Sequence, residues 1–262
     1  MMQDRVIALL GVHNFRDYGG YRALDGGRIR QGLLWRSGQH VDASDGDLAI
    51  IDRIGLRTVI DLRGSSERRQ YPCRRSDTFS GTLLFVDAET VGDASQAPHV
   101  EAAQHAPTAE QAHVRMIELY GHMPFRPTLV AVFRLYFDAL ANNDGPSLLH
   151  CLAGKDRTGI AVALLHHLLG VHGDDIMADY MLTNTAGNIE RRIAAGAAMV
   201  RRNFGPKMSD DAVRTLMSVH PAYLDAGFSS ITDQHGSVAA YADAVLGMTP
   251  DKLARIRANL VS

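Results

Sequence analysis

The sequence is poor in cysteine and has no long hydrophobic run, and both deficits limit what the protein can be. Two cysteines, Cys73 and Cys151, stand in 262 residues. That is too few for a disulfide framework and predicts a reducing, cytoplasmic setting. No apolar run reaches the roughly 18 residues of a membrane-spanning helix, so no transmembrane segment is expected. The N-terminus lacks a signal-peptide pattern, although leaderless secretion would leave no such mark.

An excess of positive charge is also missing. The formal net charge is −2 at pH 7, which argues against nucleic-acid binding through a general basic field and requires any anion site to be local. Hydrophobic residues make up 46% and charged residues 21% of the chain, an ordinary globular composition. No linker-like stretch divides the chain, so we expect a single domain over residues 1–262.

Short apolar runs alternate with helical patterns, and this alternation predicts the fold class. Buried strands are indicated at residues 56–63, 82–86 and 147–151. Apolar residues recur at helical spacing over residues 109–120, 127–141, 158–169 and much of 174–260. The pattern is typical of an α/β fold, with a central, mostly parallel twisted sheet flanked by helices. Residues 88–108 are polar and aperiodic, which predicts a mobile surface loop.

The segment HCLAGKDRTG at residues 150–159 is the most informative in the chain. A buried strand delivers Cys151 to the end of the sheet, and a helix begins near Arg157. Backbone N–H groups of the short loop and of the first helical turn converge there, and the helix dipole adds positive charge. Arg157 adds a planar fork that can hold two phosphate oxygens. The pattern predicts an anion cradle made by Leu152, Ala153, Gly154, Lys155, Asp156 and Arg157.

Cys151 lies at the floor of this predicted cradle. Helix N-termini and nearby cations favour the thiolate form of cysteine. A thiolate facing a bound phosphate suits phosphoryl transfer through a covalent phosphocysteine. Gly154 permits close backbone approach, Thr158 can offer its hydroxyl to the sulfur, and His150 either orients the loop or is structural. Cys73, which no glycine or helix start follows within the next few residues, is predicted to be structural.

These residues resemble the cysteine-dependent protein tyrosine phosphatases, whose signature is H-C-x5-R-[S/T]. The loop is most similar to that of a bacterial and fungal branch, H-C-x-A-G-K-D-R-T-G. Residues 14–20 (NFRDYGG), 34–38 (LWRSG) and 56–63 (LRTVIDLR) resemble further motifs of that branch, and residues 236–260 resemble its tail. The resemblance covers most of the chain.

The resemblance implies a phosphatase fold and a hydrolase without metal or cofactor. Cys151 would be the nucleophile and Arg157 the phosphate clamp. Substrates would be phosphotyrosine, sometimes phosphoserine or phosphothreonine, and phosphoinositides, with inorganic phosphate as a product.

The proton donor has two candidates. Many relatives in the wider class use an aspartate some thirty residues before the cysteine, but residues 117–127 hold only Glu118 and no aspartate. Asp156 lies inside the loop beside the leaving group, and Asp61 ends a strand where active-site residues of open α/β sheets gather. We predict Asp156 as the acid, with Asp61 as a supporting or alternative acid. Asp61 otherwise forms a core ion pair with Arg16, Arg36 or Arg63.

Two further expectations follow from the resemblance. Lys155 occupies a branch-specific position where its charge would favour multiply phosphorylated or inositol head groups; the alternative is a solvent-facing loop lysine. Relatives carry a helical lid over the pocket. Residues 188–223, with Met199, Met208 and Met217 among apolar neighbours, would form it here, or else they pack as ordinary helices.

Two other functions stay open at this point. A catalytically silent phosphate-binding module would keep the cradle, although the intact Cys151, Asp156 and Arg157 argue against it. Arsenate reduction or other sulfur chemistry on a similar loop would need further cysteines, and Cys73 is the only other one.

Overall fold

The centre of the computed structural model is a five-stranded sheet with the order β1-β2-β5-β3-β4. The strands are β1 (Arg16–Asp17), β2 (Leu34–Ser37), β3 (Thr58–Asp61), β4 (Thr82–Leu84) and β5 (Ser147–His150). β1 runs antiparallel to β2, and the other three pairs are parallel. The predicted α/β fold with a mostly parallel sheet is therefore confirmed. The structure describes residues 5–90, 106, 108–142, 145–186, 190, 193–194, 196–198 and 208–262.

Helices flank the sheet along most of the described chain. They are α1 (Asp45–Asp52), α2 (Ser65–Gln70), α3 (Ala109–His122), α4 (Pro127–Asn142), α5 (Asp156–Leu168), α6 (Gly173–Met181), α7 (Asp210–Met217), α8 (Pro221–His235), α9 (Val238–Leu246) and α10 (Pro250–Leu260). Short 3-10 turns cover Leu24–Gly26, Met123–Phe125 and Leu182–Asn184. The predicted helices over residues 109–120, 127–141 and 158–169 correspond to α3, α4 and α5.

The two faces of the sheet pack against unequal cores. The larger core contains α5, whose apolar residues are buried on nearly every side, as its almost uncharged sequence predicts. The smaller core lies under α1 and consists mainly of Phe15, Leu48, Ile51, Val59 and Leu148. Because side chains alternate along a strand, neighbouring residues of β5 enter different cores. Leu148 lies in the smaller core and Leu149 in the larger.

The strand ends bring several predicted residues together. His150, the last residue of β5, lies beside Asp61 of β3 and beside Ser37 of β2. β3 ends at Asp61 because its carboxylate accepts a hydrogen bond from the Arg63 backbone at 3.0 Å and turns the chain. The strand is accordingly shorter than the predicted 56–63.

The C-terminal third is helical, as predicted. Met208 and Met217 of the expected lid are buried in the larger core, whereas Met199 and most of the expected loop over 88–108 lie outside the described residues. In the described part of the chain, no helix combines the length and the apolar character that a membrane span requires.

Candidate active site

A short loop joins β5 to α5 and carries the predicted phosphate-binding residues. β5 ends at His150 and α5 begins at Asp156, so residues 151–155 form the connection. Cys151 and Arg157 are both almost completely buried. The first N–H groups of α5 have no acceptor within the helix, and with the helix dipole they favour an anion at this end.

Gly154 fixes the path of this loop. Its φ of +62° lies in the left-handed region, and a Cβ atom there would stand 2.4 Å from the Ser37 carbonyl, so a larger residue does not fit. The Gly154 carbonyl oxygen accepts hydrogen bonds from Asn14 Nδ2 at 2.7 Å and from Arg36 Nη2 at 3.0 Å. The motifs at residues 14–20 and 34–38 therefore position the loop from two separate segments.

A buried ion cluster supports these two motifs. Arg16 Nε lies 3.4 Å from Asp179 Oδ1, and Arg36 Nη1 lies 2.8 Å from Asp179 Oδ2. All three side chains are at most 1% exposed. Burial opposes ionisation of Asp179, but the two arginines outweigh it and lower the pKa of Asp179 to about 2. The site therefore depends on a carboxylate that no sequence motif indicated.

Glu67 holds the guanidinium of Arg157. Glu67 Oε2 lies 2.5 Å from Nη1 and Oε1 lies 2.8 Å from Nη2, the bidentate geometry that suits arginine. Nη1 also donates to Thr90 Oγ1 and to the Leu62 carbonyl. Burial disfavours both charges, but the ion pair outweighs it, lowering the pKa of Glu67 and raising that of Arg157. Arg157 Nε is buried without a hydrogen-bond partner among the described residues.

We predict that Glu67→Gln lowers kcat/KM for a phosphoester substrate by roughly 100-fold, because the guanidinium of Arg157 loses its alignment. Initial rates of phosphate release measure the effect. Glu118→Gln is the matched control, since Glu118 is half exposed and pairs only with Arg115 in the described structure; its rate should equal that of the unchanged enzyme. A Glu67→Gln rate within about twofold of that value would contradict the alignment role.

Asp156 lies in a buried polar network at the start of α5. Its Oδ1 accepts a hydrogen bond from the Tyr120 hydroxyl at 2.8 Å and lies 2.7 Å from Lys155 Nζ. The Tyr180 hydroxyl in turn donates to the Tyr120 hydroxyl at 2.8 Å. Burial, with Asp156 as the next cause, raises the pKa of Tyr120 well above 10, so its hydroxyl remains a donor. Tyr120 and Tyr180 were not anticipated from the sequence.

Lys155 does not face solvent. Its side chain is fully buried, and Nζ donates to the Leu216 carbonyl at 2.9 Å and the Ser218 carbonyl at 3.2 Å, at the end of α7. The alternative of a solvent-facing loop lysine is therefore wrong. Burial is tolerated because the ammonium group meets Asp156 and two helix-end carbonyls, which satisfy its three protons. The loop is thereby tied to the segment expected to form the lid.

Asp61 is paired with Arg63, one of the three arginines that the sequence offered. Arg63 Nε and Nη2 donate to its two oxygens at 2.9 and 2.7 Å, whereas Arg16 and Arg36 belong to Asp179. Burial opposes ionisation of Asp61, but His150 and Arg63 outweigh it and lower the pKa of Asp61 to about 2. Burial also lowers the pKa of His150 to about 4, so this ring is neutral at pH 7.

The predicted residues thus fall into two groups. Cys151 lies on the loop and Asp156 and Arg157 lie in the first turn of α5, whereas Asp61 and His150 lie side by side at the strand ends. The Thr158 hydroxyl is buried without a hydrogen-bond partner among the described residues, so its expected bond to the sulfur is not formed here. Sequence reasoning missed Glu67 and Asp179; Glu67 carried only a helix-capping spacing after Gly64.

The architecture and this loop define a class: α/β phosphatases with a cysteine at a strand end and an arginine at the next helix start. A family model described as the tyrosine phosphatase family matches residues 7–262, and the chain belongs to this family. It is accordingly a protein tyrosine phosphatase, an enzyme that hydrolyses phosphomonoesters.

Curated relatives agree with this membership. A Cupriavidus necator protein, named provisionally as a tyrosine-protein phosphatase, is 34% identical over 236 residues, covering 88% of this chain and 80% of the relative. The triple specificity protein phosphatase PtpB of Mycobacterium tuberculosis is 29% identical over 258 residues, covering 89% of this chain and 91% of PtpB. A tyrosine-protein phosphatase of Nostoc commune is 30% identical over 142 residues, covering 53% of this chain and 44% of that protein.

Proposed function

We propose that the chain hydrolyses phosphotyrosine esters through a phosphocysteine on Cys151, with activity extending to other phosphomonoesters. The observation that carries this proposal is the hydrogen bonding of the Arg157 guanidinium group. Glu67 holds two of its nitrogens, and its buried Nε has no hydrogen-bond partner among the described residues. A tetrahedral phosphate seated over Cys151, on the N–H groups of residues 152–157, would supply that partner.

In the first step the Cys151 thiolate attacks the phosphorus atom. The sulfur–phosphorus bond forms as the bond from phosphorus to the tyrosyl oxygen breaks. Arg157 and the loop amides bind the three remaining phosphoryl oxygens and stabilise the charge that spreads over them. Asp156 donates its proton to the leaving oxygen, so that tyrosine departs neutral.

In the second step water hydrolyses the phosphocysteine. Asp156, now a carboxylate, accepts a proton from the attacking water, while the oxygen–phosphorus bond forms and the sulfur–phosphorus bond breaks. Inorganic phosphate leaves and the thiolate is restored. We propose that the Thr158 hydroxyl, unpaired among the described residues, stabilises the departing sulfur.

The hydrogen-bond donors around the two carboxylates favour Asp156 over Asp61 as the general acid. Arg63 engages both oxygens of Asp61 and helps to keep its pKa near 2, so Asp61 has no proton to give at pH 7. Tyr120 donates a hydrogen bond to Asp156, and the Lys155 ammonium lies 2.7 Å from it. The dianion of a bound phosphoester acts against these two partners, because a nearby negative charge favours the protonated acid. Asp61 then acts as a supporting residue beside His150.

The substrate range is proposed to include phosphoserine, phosphothreonine and phosphoinositide esters. The name of PtpB, a relative that covers most of this chain, assigns that protein triple specificity. Lys155 supports the inositol substrates only if it parts from Leu216 and Ser218, since a second phosphate would need its charge. Movement of α7, which lies within the expected lid, would release it. Both cysteines are free thiols, which supports a reducing location such as the cytoplasm.

The test compares Asp156→Asn with the unchanged enzyme on phosphoesters that have different leaving groups. EDTA in the buffer removes divalent metal ions. On a phosphotyrosine peptide we expect kcat/KM, which reports formation of the phosphocysteine, to fall roughly 100- to 1,000-fold, because the departing oxygen needs a proton. On para-nitrophenyl phosphate, whose phenolate leaves without one, the loss of kcat/KM should stay below about tenfold. Phosphoserine peptides and phosphoinositide vesicles complete the panel, and release of inorganic phosphate is measured throughout.

Asp61→Asn is the paired variant in this experiment. If Asp61 were the acid, the loss that depends on the leaving group would appear in Asp61→Asn and not in Asp156→Asn. Equal losses of kcat/KM on both esters in Asp156→Asn would show a structural role for this carboxylate. An unchanged enzyme that turns over phosphotyrosine but no other ester would refute the proposed breadth.

A further inference from the structure

Three potential metal ligands meet on the sheet face opposite the side chain of Cys151. Asp61 ends β3, His150 ends β5, and Cys73 lies in the segment that follows α2. In the described residues, one ligand atom from each of the three side chains lies within 4.8 Å of the others. His150 lines a pocket with Leu148 and Val59 of the smaller core, whereas Cys151 packs in the larger core. The cluster is therefore separate from the phosphate cradle.

We propose that Asp61, Cys73 and His150 form a zinc-binding site. One thiolate, one imidazole and one carboxylate are a donor set that zinc accepts, with a fourth position left for water. Bond lengths of about 2.0–2.3 Å place the ligand atoms of a tetrahedral zinc ion roughly 3–4 Å apart. Shifts of about 1 Å would therefore close the present cluster around an ion.

The contacts of the two ring nitrogens of His150 suit a zinc ligand. Its Nδ1 lies 3.4 Å from the Cys151 carbonyl oxygen, and its Nε2 lies 3.7 Å from Asp61 Oδ2. A proton on Nδ1, directed at the carbonyl, leaves the lone pair of Nε2 facing the other two ligands. Metal-binding histidines usually have this arrangement, in which a hydrogen bond to the second nitrogen sets the tautomer.

Charges around the cluster decide which ion can enter. Arg63 binds Asp61 and also donates to Gln39 Oε1 and the Tyr71 carbonyl, so it can stay in place as an outer partner of a ligating carboxylate.

The His40 backbone N–H donates to Cys73 Sγ at 3.3 Å, and the His40 ring lies 5.6 Å from that of His150. Arg75 lines the same pocket. With this much positive charge nearby, a divalent ion needs the thiolate of Cys73 as well as Asp61.

The test uses the Cys151→Ser variant, which removes the other thiol, and zinc or cobalt ions alone. Titration calorimetry should give one tightly bound Zn²⁺ per chain, and Co²⁺ should give a thiolate-to-cobalt charge-transfer band. Adding Cys73→Ser should abolish the band and weaken Zn²⁺ binding at least about 100-fold, more than the loss of an outer-shell partner. Mg²⁺, which avoids sulfur ligands, should not bind there.

Two control variants separate this cluster from the other histidines. His172→Ala removes an exposed histidine beside Asp174, and His113→Ala removes one that packs on His220; neither should change Zn²⁺ binding. If His113→Ala abolishes binding and Cys73→Ser does not, the proposal is refuted. Cys151→Ser protein that binds no Zn²⁺ refutes it equally.

A second measurement avoids any substitution in the cluster. Cys73 is half-buried in the parent chain, so iodoacetamide should alkylate it slowly in Cys151→Ser protein. Bound Zn²⁺ should slow that alkylation at least about tenfold, as mass spectrometry of the Cys73 peptide would show. Alkylation at an unchanged rate with saturating Zn²⁺ would overturn the assignment even if the Cys73→Ser variant failed to fold.

Discussion

Cys151→Ser lowers the turnover of phosphotyrosine substrates by a factor of roughly ten thousand or more, because serine supplies no ionised nucleophile at neutral pH. The expected loss exceeds that of the other site variants, since Arg157 and the loop amides can bind phosphate but cannot form the covalent intermediate. Steady-state rates measure the loss. Acid quench of the unchanged enzyme with radiolabelled substrate should trap a phosphoprotein, which the variant should not form.

Binding of inorganic phosphate is the internal control for this variant. The Glu67–Arg157 pair and the loop amides are untouched, so affinity for phosphate should stay within about tenfold of the parent value. A variant that retains more than roughly one-hundredth of the activity would rule out the phosphocysteine route. A labelled phosphoprotein that persists in the variant would place the nucleophile on another residue.

Asp179→Asn should be the most destabilising conservative change described here. It leaves Arg16 and Arg36, both fully buried, without their carboxylate. Removing one partner of a buried ion cluster costs about 3–5 kcal/mol, because the remaining charges stay desolvated. For a domain of this size the melting temperature should fall by roughly 10 °C. Thermal unfolding followed by circular dichroism measures the shift.

Asp174→Asn, on the same helix, is the control because Asp174 is almost fully exposed; its melting temperature should match that of the parent. The pH dependence gives a second readout. The pKa of Asp179 is about 2 when folded and about 3.9 when unfolded. Its stabilisation is therefore present above about pH 4 and is lost as the pH falls toward 2. An Asp179→Asn protein as stable as Asp174→Asn at pH 7 would exclude this account.

The fold and the catalytic loop follow from local patterns. Alternating strands and helices predicted the parallel sheet, and the apolar, almost uncharged run after Thr158 predicted a buried helix. The position of Cys151 before a helix start predicted where an anion would bind. Each of these inferences uses residues that are neighbours in sequence, where periodicity and capping rules apply.

The partners of the charged residues could not be predicted in the same way. Glu67 is ninety positions from Arg157 and Asp179 is 143 positions from Arg36, and no periodicity links such pairs. The motif at residues 14–20 was recognised by resemblance, but only the structure shows that Asn14 holds the Gly154 carbonyl. The sequence predicted that the Lys155 side chain faces the pocket or the solvent. Its burial depends on α7, a helix whose packing the sequence does not specify.

The Glu67–Arg157 pair has a consequence for how substrate is attracted. Arg157 is matched by Glu67, and Lys155 by Asp156, so the charged side chains around the cradle nearly cancel before any ligand arrives. A long-range field can then contribute little to recruitment, and dissolved salt, which screens such fields, should scarcely slow encounter. Affinity for phosphate rests instead on the short-range fit between its oxygens, the loop amides and the unsatisfied Nε of Arg157. The enzyme therefore discriminates between ligands by their shape, whereas a merely basic pocket would accept any polyanion.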